Sequence, residues 1–281
     1  MRDMHCHILP GVDDGARNLQ ESLEMLEAAK QVGITSIVCT PHCRDPYFDF
    51  DAMWEAFRLL EQHANGFPLT MGFEVNHAKL MDLGIEWAPK LTFQRSNEFL
   101  LELSTRATEY HFREYESTIY QLQSVGLDVI IAHPERYKAI QENVEIAYNL
   151  VEMGCKLQAS ADFIVGGRTG AEKKPAKRLF EENLYTYIAS DAHNVAHYGF
   201  YQQARQKQWV AVATGAAAAE FSGIVKLNDT AAIAWRGIEE GLSRDQIVAR
   251  VVESYDVDEP RAAADVDAFL QTLVKAGIAS E

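Results

Sequence analysis

The sequence predicts an α/β protein in which parallel strands and helices alternate to form a TIM-like barrel. Short runs of β-branched and aliphatic residues recur, with helical stretches between them. The runs are almost continuously apolar, which is typical of parallel strands covered by helices. Hydrophobic residues make up 47% of the 281-residue chain, enough for a sizeable core. The predicted strands span residues 3–8, 35–40, 69–74, 98–103, 128–133, 155–160 and 184–190.

The first connection shows how local signals delimit each helix. Asn18 and Glu21 have the spacing of a capping box at a helix start. Leu26 and Ala29 then recur at helical spacing, and Gly33 ends the helix. Similar glycine stops precede two later strands. Repetition of this unit favours a closed barrel over an open doubly wound sheet, which usually gathers its ligands at one crevice.

The chain changes character after the last predicted strand. Residues 211–219 read AVATGAAAA, a stretch of small residues that indicates a domain junction. We predict a barrel domain at 1–207, a junction at 208–221 and a small helical domain at 222–281. The small domain should contain three helices, at residues 229–240, 243–255 and 260–276.

Charge and cysteine content exclude several functions. The net charge of −15 disfavours nucleic acid, whose binding draws on Lys and Arg. No run approaches the roughly 18 apolar residues of a membrane span, and Arg2, Asp3 and His5 stand where a signal peptide would be apolar. We therefore expect a cytoplasmic protein with reduced thiols. No cysteine is followed six residues later by Arg, so phosphatase chemistry would have to come from metals.

Side chains that can bind metals stand at or just past the ends of most predicted strands. His5 and His7 are two residues apart, so both imidazoles project from the same face of a strand. Such a pair is a weak signal alone, and each later residue could equally be a solvated loop residue. Their joint position predicts a metal site, because barrels build sites from the C-terminal strand ends. The candidate ligands are His5, His7, Asp14, His42, Glu74, Glu102, His133, Asp191 and His193.

The remaining histidines in helices or loops are expected to have structural roles away from these strand ends. They are His63, His77, His111 and His197.

The carboxylates of this set predict cations and then phosphate. Four carboxylates in one low-dielectric bowl would become protonated unless cations neutralise them. Imidazole and carboxylate ligands without thiolate suit manganese, iron or zinc. Three divalent ions carry a charge of +6 and the four carboxylates carry −4. The site therefore has a net charge of about +2, which a bound hydroxide reduces by one unit. Such a site attracts a phosphate monoester, with the metal-bound hydroxide as nucleophile.

Several motifs carry a resemblance to a known family. With Glu74, they resemble the PHP superfamily and, within it, the bacterial capsule and exopolysaccharide tyrosine phosphatases of the CpsB/YwqE type. The resemblance covers about residues 1–198. The motifs are DMHCHILPGVDDG (3–15), TPH (40–42), LLELS (100–104), IIAHPER (130–136) and IASDAHN (188–194).

The resemblance implies a distorted (β/α)7 barrel with a trinuclear site, usually supported by manganese, that hydrolyses phosphotyrosine on a polysaccharide-export kinase. It implies that Arg136 grips the phosphate, although a surface salt bridge is the alternative. Catalytic roles fall to Arg136, Asp191 and His193. The implied ligand sets are His5, His7, Glu74 and Asp191 for one ion, Glu74, Glu102 and His133 for a second, and Asp14, His42 and His193 for a third.

Two features depart from this family. Its members usually carry another Arg after SDAHN, whereas residues 195–198 offer only His197 and Tyr198. Arg44, Arg168 or Arg205 could substitute for it. The closing helices that follow the motif are also shortened.

The tail has its own resemblance. Residues 226–278 are similar to PqqD-like domains, which are winged-helix-like and bind leader peptides of modified-peptide pathways. A DNA-reading helical bundle is disfavoured, because acidic residues outnumber basic ones. A lid or dimerisation domain without a ligand is a further alternative.

These observations leave three functional hypotheses. The first is a phosphatase of phosphotyrosine proteins or peptides. The second is hydrolysis of a small phosphate monoester such as histidinol phosphate. The third is a peptide chaperone or modified-peptide pathway protein with a weakened barrel.

Overall fold

The computed structural model describes residues 1–167, 170–206, 211–212, 224–225, 229–254 and 257–275. The chain divides into two compact units, Met1–Gln203 and Ala204–Glu281. Of the predicted junction at 208–221, only residues 211–212 lie within the described part.

The first unit is built on parallel strands at the predicted places. Every strand pair within this unit is parallel. Two predicted strands are interrupted, so that a short second segment follows the first after a break of two residues. The strands are β1 (Arg2–Cys6), β2 (Ser36–Cys39), β3 (His42–Cys43), β4 (Leu69–Met71), β5 (Glu74–Asn76), β6 (Glu98–Glu102), β7 (Asp128–Ala132), β8 (Lys156–Ser160) and β9 (Tyr187–Ala189).

The interruptions divide the strands into two hydrogen-bonded groups, ordered β1-β2-β4 and β3-β5-β6-β7-β8-β9. Backbone bonds join the groups across the breaks: the Gly72 amide donates to Cys39 at 2.9 Å, and the Glu74 amide donates to Pro41 at 3.1 Å. The result is a curled parallel sheet.

The end of the sheet returns to its beginning. The amide of Asp191, just past β9, donates to the carbonyl of His5 at 2.9 Å. The amide of His7 in turn donates to Ala192 at 2.9 Å. The segment after the last strand therefore lies beside the first strand, which brings the two ends of the predicted motif set together.

Helices follow most of the strands. Asn18 caps the first helix as predicted, accepting from the Glu21 amide at 3.0 Å. Glu21 itself reaches the Arg17 amide, one residue earlier than a capping box requires. The helices are α1 (Leu19–Gln31), α2 (Phe50–His63), α3 (His77–Leu83), α4 (Glu109–Ser124), α5 (Lys138–Glu142), α6 (Glu145–Glu152), α7 (Lys173–Glu181) and α8 (His197–Gln206).

The core of this unit lies between the sheet and the inward faces of the helices. Val129, Ile130 and Ile131 of β7 are buried, as their continuous apolar run predicts. Met25 and Leu26 supply the buried face of α1. Each such side chain contributes about 1.5–3 kcal/mol by leaving water, and this packed sheet carries the residues at its C-terminal edge.

Within its described residues, the second unit contains a short antiparallel pair, β10 (Ala211–Val212) with β11 (Ile224–Val225), and three further helices. The helices are α9 (Asp229–Glu239), α10 (Arg244–Ser254) and α11 (Glu259–Lys275). They coincide with the three predicted helices, whose predicted ends at 255 and 276 lie outside the described part. Ala234, Val251 and Val266 are fully or almost fully buried at their common core.

No helix in the described part of the chain is long and apolar enough to cross a bilayer.

Replacing Tyr137 by Phe tests how the strand ends are held. The buried hydroxyl donates to the Ala132 carbonyl at 2.6 Å and accepts from the Leu103 amide at 3.0 Å. Tyr137→Phe leaves both groups buried without a partner, so we expect a loss of about 2 kcal/mol in the free energy of unfolding. Urea unfolding measures this loss in free energy. Tyr148→Phe, which removes a partly exposed hydroxyl bonded to Glu182, is the control, and an equal loss in both would contradict the assignment.

Candidate metal centre

Four predicted ligands form a compact cage at the C-terminal edge of the sheet. His5 Nε2 and His7 Nε2 lie 3.1 Å apart. Each nitrogen is 3.4 Å from Glu74 Oε2 and 3.4 Å from Asp191 Oδ1. A tetrahedral ion with ligands at about 2.1 Å separates its donor atoms by roughly 3.4 Å. The spacing of these four atoms therefore fits one divalent ion.

A second group lies on the other side of His7. Asp14 Oδ1 is 3.2 Å from His42 Nε2 and 3.5 Å from His193 Nε2. The rings of His7 and His193 stack, with centroids 4.0 Å apart. Donor atoms of His7, Asp14, His42 and His193 all lie within 4.8 Å of one another.

Glu74 joins these groups to a third. Its Oε2 lies 2.6 Å from His42 Nδ1, and its Oε1 lies 2.8 Å from His133 Nε2. Glu102 offers an oxygen within 4.8 Å of the donor atoms of His42 and Glu74. The structure thus brings all nine predicted residues to one region, with Glu74 at its centre and His42 facing two groups.

Several buried donor atoms of this region form no hydrogen bond of good geometry within the described residues. His133 Nδ1 has none, and His42 Nδ1 and Glu74 Oε2 lie 2.6 Å apart without hydrogen-bond geometry. An unsatisfied buried polar group costs about 1–3 kcal/mol. Divalent ions bound by imidazole and carboxylate would satisfy such atoms. The donor set therefore fits metal ions.

The charges of the cage are strongly coupled. Burial alone would raise the pKa of Glu74, but the neighbouring imidazoles of His5 and His42 hold this pKa well below its usual value. Burial would likewise raise the pKa of Asp191, and Arg136 and His5 more than reverse the effect. The charges of neighbouring imidazoles and of Arg136 thus favour the ionised forms of Glu74 and Asp191.

Asp13 is a functional candidate that the sequence-based set omits. Its Oδ2 lies 2.9 Å from His7 Nδ1 and accepts from the His42 amide at 3.1 Å. Carboxylates commonly orient metal-binding imidazoles from behind in this way. Burial lowers the pKa of His7, but Asp13 raises it well above its usual value. The sequence did contain a signal for Asp13, because it is adjacent to Asp14, which is one of the nine candidate ligands.

Two further residues support the first pair of imidazoles. Gln158 Oε1 lies 2.8 Å from His5 Nδ1, so that Nε2 faces the cage. Gln158 is in β8, and no local motif indicated it. Gly15 lets the loop approach β1, because a Cβ there would lie 2.0 Å from the His7 carbonyl oxygen.

Two ligand positions have left-handed backbone conformations. His133 has φ of 33° and Asp191 has φ of 47°. Such conformations are uncommon outside glycine and persist where the surrounding structure enforces them, often at functional sites. Both residues come immediately or shortly after a strand end, where the turn directs the side chain toward Glu74 or the cage.

Arg136 is buried in an ion-pair network, which excludes the surface salt bridge considered from sequence. Its Nη1 lies 2.6 Å from Asp191 Oδ2. Nη2 donates to Ser160 at 2.9 Å and contacts Asp162 at 3.1 Å. Nε donates to Glu172 at 3.3 Å. The guanidinium thus holds Asp191 in place from outside the cage.

Three of the four histidines set aside have local structural partners. His63 contacts the Leu59 carbonyl, and His111 caps α4. His77 directly follows β5 and so was wrongly placed away from the strand ends, but its side chain contacts Thr118 in α4. The placement of His197 away from the strand ends was wrong. Its Nδ1 lies 3.3 Å from both the His193 amide and the Asp191 carbonyl, because the turn after β9 brings the start of α8 back to that strand end.

The three arginines that could substitute for the missing family arginine differ in where the structure places them. Arg44 lies beside the site, with Nη2 2.9 Å from His42 Nε2. Arg168 and the side chain of Arg205 lie outside the described residues. Tyr198 is buried, with its hydroxyl 3.1 Å from Cys6 Sγ.

A cleft of about 770 Å³ opens beside the metal-binding residues. Glu102 and His133 form part of its wall next to the site, together with Arg136. Arg44, Arg106 and Lys138 also line it. This volume lies within the usual range for ligand pockets, about 300–1,000 Å³.

Asp13→Asn tests the support behind His7. An amide can no longer stabilise the imidazole by charge, so we expect divalent-ion affinity to fall by about 10–100-fold. Calorimetric titration with Mn²⁺ measures the change. Asp128→Asn, an exposed residue paired with Lys156 at the opposite end of β7, is the control. Equal affinity in Asp13→Asn and the unsubstituted protein would remove Asp13 from the site.

Two family models match the chain. The family described as capsular polysaccharide synthesis, CpsB/CapC, matches residues 1–203. The family of coenzyme PQQ synthesis protein D, PqqD, matches residues 203–279. Both resemblances noted from the sequence are thereby confirmed.

Individual relatives give the same result. Tyrosine-protein phosphatase YwqE of Bacillus subtilis is 34% identical over 209 residues, which are 72% of this chain and 81% of that protein. Tyrosine-protein phosphatase CpsB of Streptococcus agalactiae is 27% identical over 206 residues, 69% of this chain and 84% of that protein.

A solved structure is also similar. It comes from work on YwqE of Bacillus subtilis and CpsB of Streptococcus pneumoniae, described as unique metal-dependent tyrosine phosphatases. It is 31% identical, with a TM-score of 0.62, and the match covers 72% of this chain and 83% of the solved one.

Proposed function

This chain belongs to the CpsB/CapC family of capsular polysaccharide synthesis proteins, and from that premise we propose that it is a metal-dependent tyrosine-protein phosphatase. The observation that carries the proposal is the cage around Glu74, in which buried imidazole and carboxylate atoms lie at distances from one another that fit divalent-ion ligands. Relatives named as tyrosine-protein phosphatases support the same activity.

We propose that three divalent ions bind here, manganese in the first place, with iron or zinc as alternatives. When bound, they would supply Lewis acidity, which offsets phosphoryl charge and lowers the pKa of water. The proposed ligand sets are His5, His7, Glu74 and Asp191, then Glu74, Glu102 and His133, and then Asp14, His42 and His193. The sheet that carries them is proposed to be a (β/α)7 barrel.

The protein's own groups have distinct proposed roles. Arg136 holds Asp191 through the 2.6 Å ion pair and faces the cleft. His193 Nδ1 lies 2.9 Å from the Asp191 carbonyl, so it carries the proton and leaves the Nε2 lone pair toward Asp14. Burial and the charge of His7 lower the pKa of His193, which favours this neutral form. We propose catalytic roles for Arg136, Asp191 and His193.

Phosphotyrosine suits this arrangement of side chains. A phenolate leaving group has a parent pKa near 10 and needs less general-acid help than an alkoxide. The described site presents imidazoles and carboxylates already committed to one another, so little proton donation is available. We propose a cytoplasmic phosphotyrosine protein as substrate, with a polysaccharide-export tyrosine kinase as the candidate.

Metal removal tests the activity. Phosphate release is measured from a phosphotyrosine peptide, a phosphoserine peptide and histidinol phosphate, with Mn²⁺ or with chelator. We expect the phosphotyrosine peptide to be the best substrate and its rate to fall at least about 100-fold on chelation, because several kcal/mol of charge stabilisation are lost.

Substitutions of the cage ligands give a second test of the metal mechanism. His5→Ala combined with His133→Ala should abolish the Mn²⁺-dependent rate, whereas His63→Ala, on an exposed part of α2, should retain it. Activity that survives full chelation or the double substitution contradicts the metal mechanism. A preference for histidinol phosphate would instead select the small-molecule alternative.

We further propose that the second unit binds a leader peptide. The PqqD match to residues 203–279 and the compact core of α9, α10 and α11 support this proposal. It places peptide recognition and phosphate hydrolysis in one chain.

Removing residues 222–281 tests this second proposal. We expect weaker capture of peptide substrates, seen as a raised KM of about tenfold, with hydrolysis of a small chromogenic ester retained. Both KM values are measured on the full and the shortened chain. Equal losses on the peptide and the ester would assign the second unit a structural role.

A further inference from the structure

Four cationic side chains line the cleft beside the cage: Arg44, Arg106, Arg136 and Lys138. Arg136 is the most buried of them, and its contacts leave little capacity for substrate. A guanidinium has five N–H donors. Its Nε donates to Glu172, its Nη2 group donates to Ser160 and Asp162, and Nη1 is paired with Asp191. At most one Nη1 hydrogen remains for a phosphoryl oxygen.

Arg44 has the opposite character. Its side chain is 28% exposed and lines the cleft. It contacts the site from outside, with Nη2 2.9 Å from His42 Nε2 and 3.4 Å from Asp14 Oδ2, and Nη1 3.8 Å from Glu102 Oε1. Each of these partners is a proposed ion ligand. Ions held by these three residues would take up their lone pairs and charge, and the Arg44 guanidinium would then be available to another anion.

Two more cations stand around the same cleft. Arg106 is exposed and forms no side-chain ion pair within the described residues. Lys138 is 64% exposed, and its contact is an i,i+4 pair with Glu142 at 3.6 Å. Exposed pairs of this kind are weak and readily exchanged. In a chain of net charge −15, three accessible cations on one cleft favour an anionic ligand larger than one phosphate.

We propose that this cleft binds phosphopeptides with a second anionic group beside the phosphotyrosine, Arg44 contacting the phosphoryl group and Arg106 and Lys138 contacting the second anion. The second anion is a carboxylate or a further phosphate, which share the chemistry that these cations recognise. The proposal rests on the phosphatase function proposed above. It assigns the cleft both a substrate class and the residues that select it.

Binding of inorganic phosphate tests Arg44 separately from catalysis. Mn²⁺-loaded protein is titrated with phosphate in a calorimeter, using the unsubstituted chain, Arg44→Lys and Arg44→Gln. We expect about tenfold weaker binding for Arg44→Gln, with a smaller loss for Arg44→Lys, because a charged hydrogen bond is removed or weakened. Arg178→Gln on α7 is the control. Phosphate affinity of Arg44→Gln within twofold of the unsubstituted protein overturns the role of Arg44.

Peptide selectivity tests the other two cations. Three phosphotyrosine peptides are compared, in which the flanking residues are alanines, glutamates or a second phosphotyrosine, and kcat and KM are measured separately. We expect the KM to be about tenfold lower for at least one anionic peptide than for the alanine peptide, and the double variant R106E/K138E to lose this preference. Preference for the glutamate or the doubly phosphorylated peptide identifies the second anion.

The chain offers a matched control for the double variant. Lys177 and Arg178 are exposed on α7 and form i,i+4 pairs with Glu181 and Glu182, at 3.4 and 4.0 Å. K177E/R178E makes the same change in net charge and should keep the preference. No preference in the unsubstituted protein, or one that survives in R106E/K138E, overturns the proposal. Failure of the unsubstituted protein to hydrolyse any phosphotyrosine peptide would contradict the proposed function, while the phosphate titration still decides the role of Arg44.

Discussion

The structure depends on one buried carboxylate that several imidazoles approach at once. Glu74 lies 2.6 Å from His42, 2.8 Å from His133 and 3.4 Å from His5 and His7. An ionised group in this position is costly unless cations and ligands surround it. Neighbouring imidazoles lower the pKa of Glu74, and Arg136 with His5 lowers that of Asp191, so both ionised forms are favoured. Ions that bind all these donors resolve the conflict that burial creates.

The scaffold holds this charge cluster by features that have little value for stability alone. Left-handed turns at His133 and Asp191 direct side chains inward. Asp13 and Gln158 fix the first two imidazoles from behind, and Arg136 fixes Asp191. Strained backbone and buried charge of this kind are expected where function opposes stability. The cleft beside the cluster then supplies accessible cations for a ligand.

Much of the fold could be predicted because the signals are local. Six of the seven apolar runs have a ligand-type residue in them or just after them. The C-terminal ends of parallel strands meet at one edge, so the nine candidates could be grouped without tertiary information. The breaks within two strands gave no such signal. Nor did Gln158 or the partners of Arg136, since Asp162 and Glu172 follow a different strand and meet the arginine only in the fold. His197 was misplaced for the same reason.

The central claim is that Glu74 binds several ions at once, and counting ions tests it most directly. Equilibrium dialysis of the full chain against Mn²⁺, followed by elemental analysis, gives the number of ions per chain. Glu74→Gln preserves the shape of the side chain and removes its charge. The account predicts about three ions per unsubstituted chain and at most one in the variant. Fewer than one ion per unsubstituted chain, or the same number in both proteins, would contradict it.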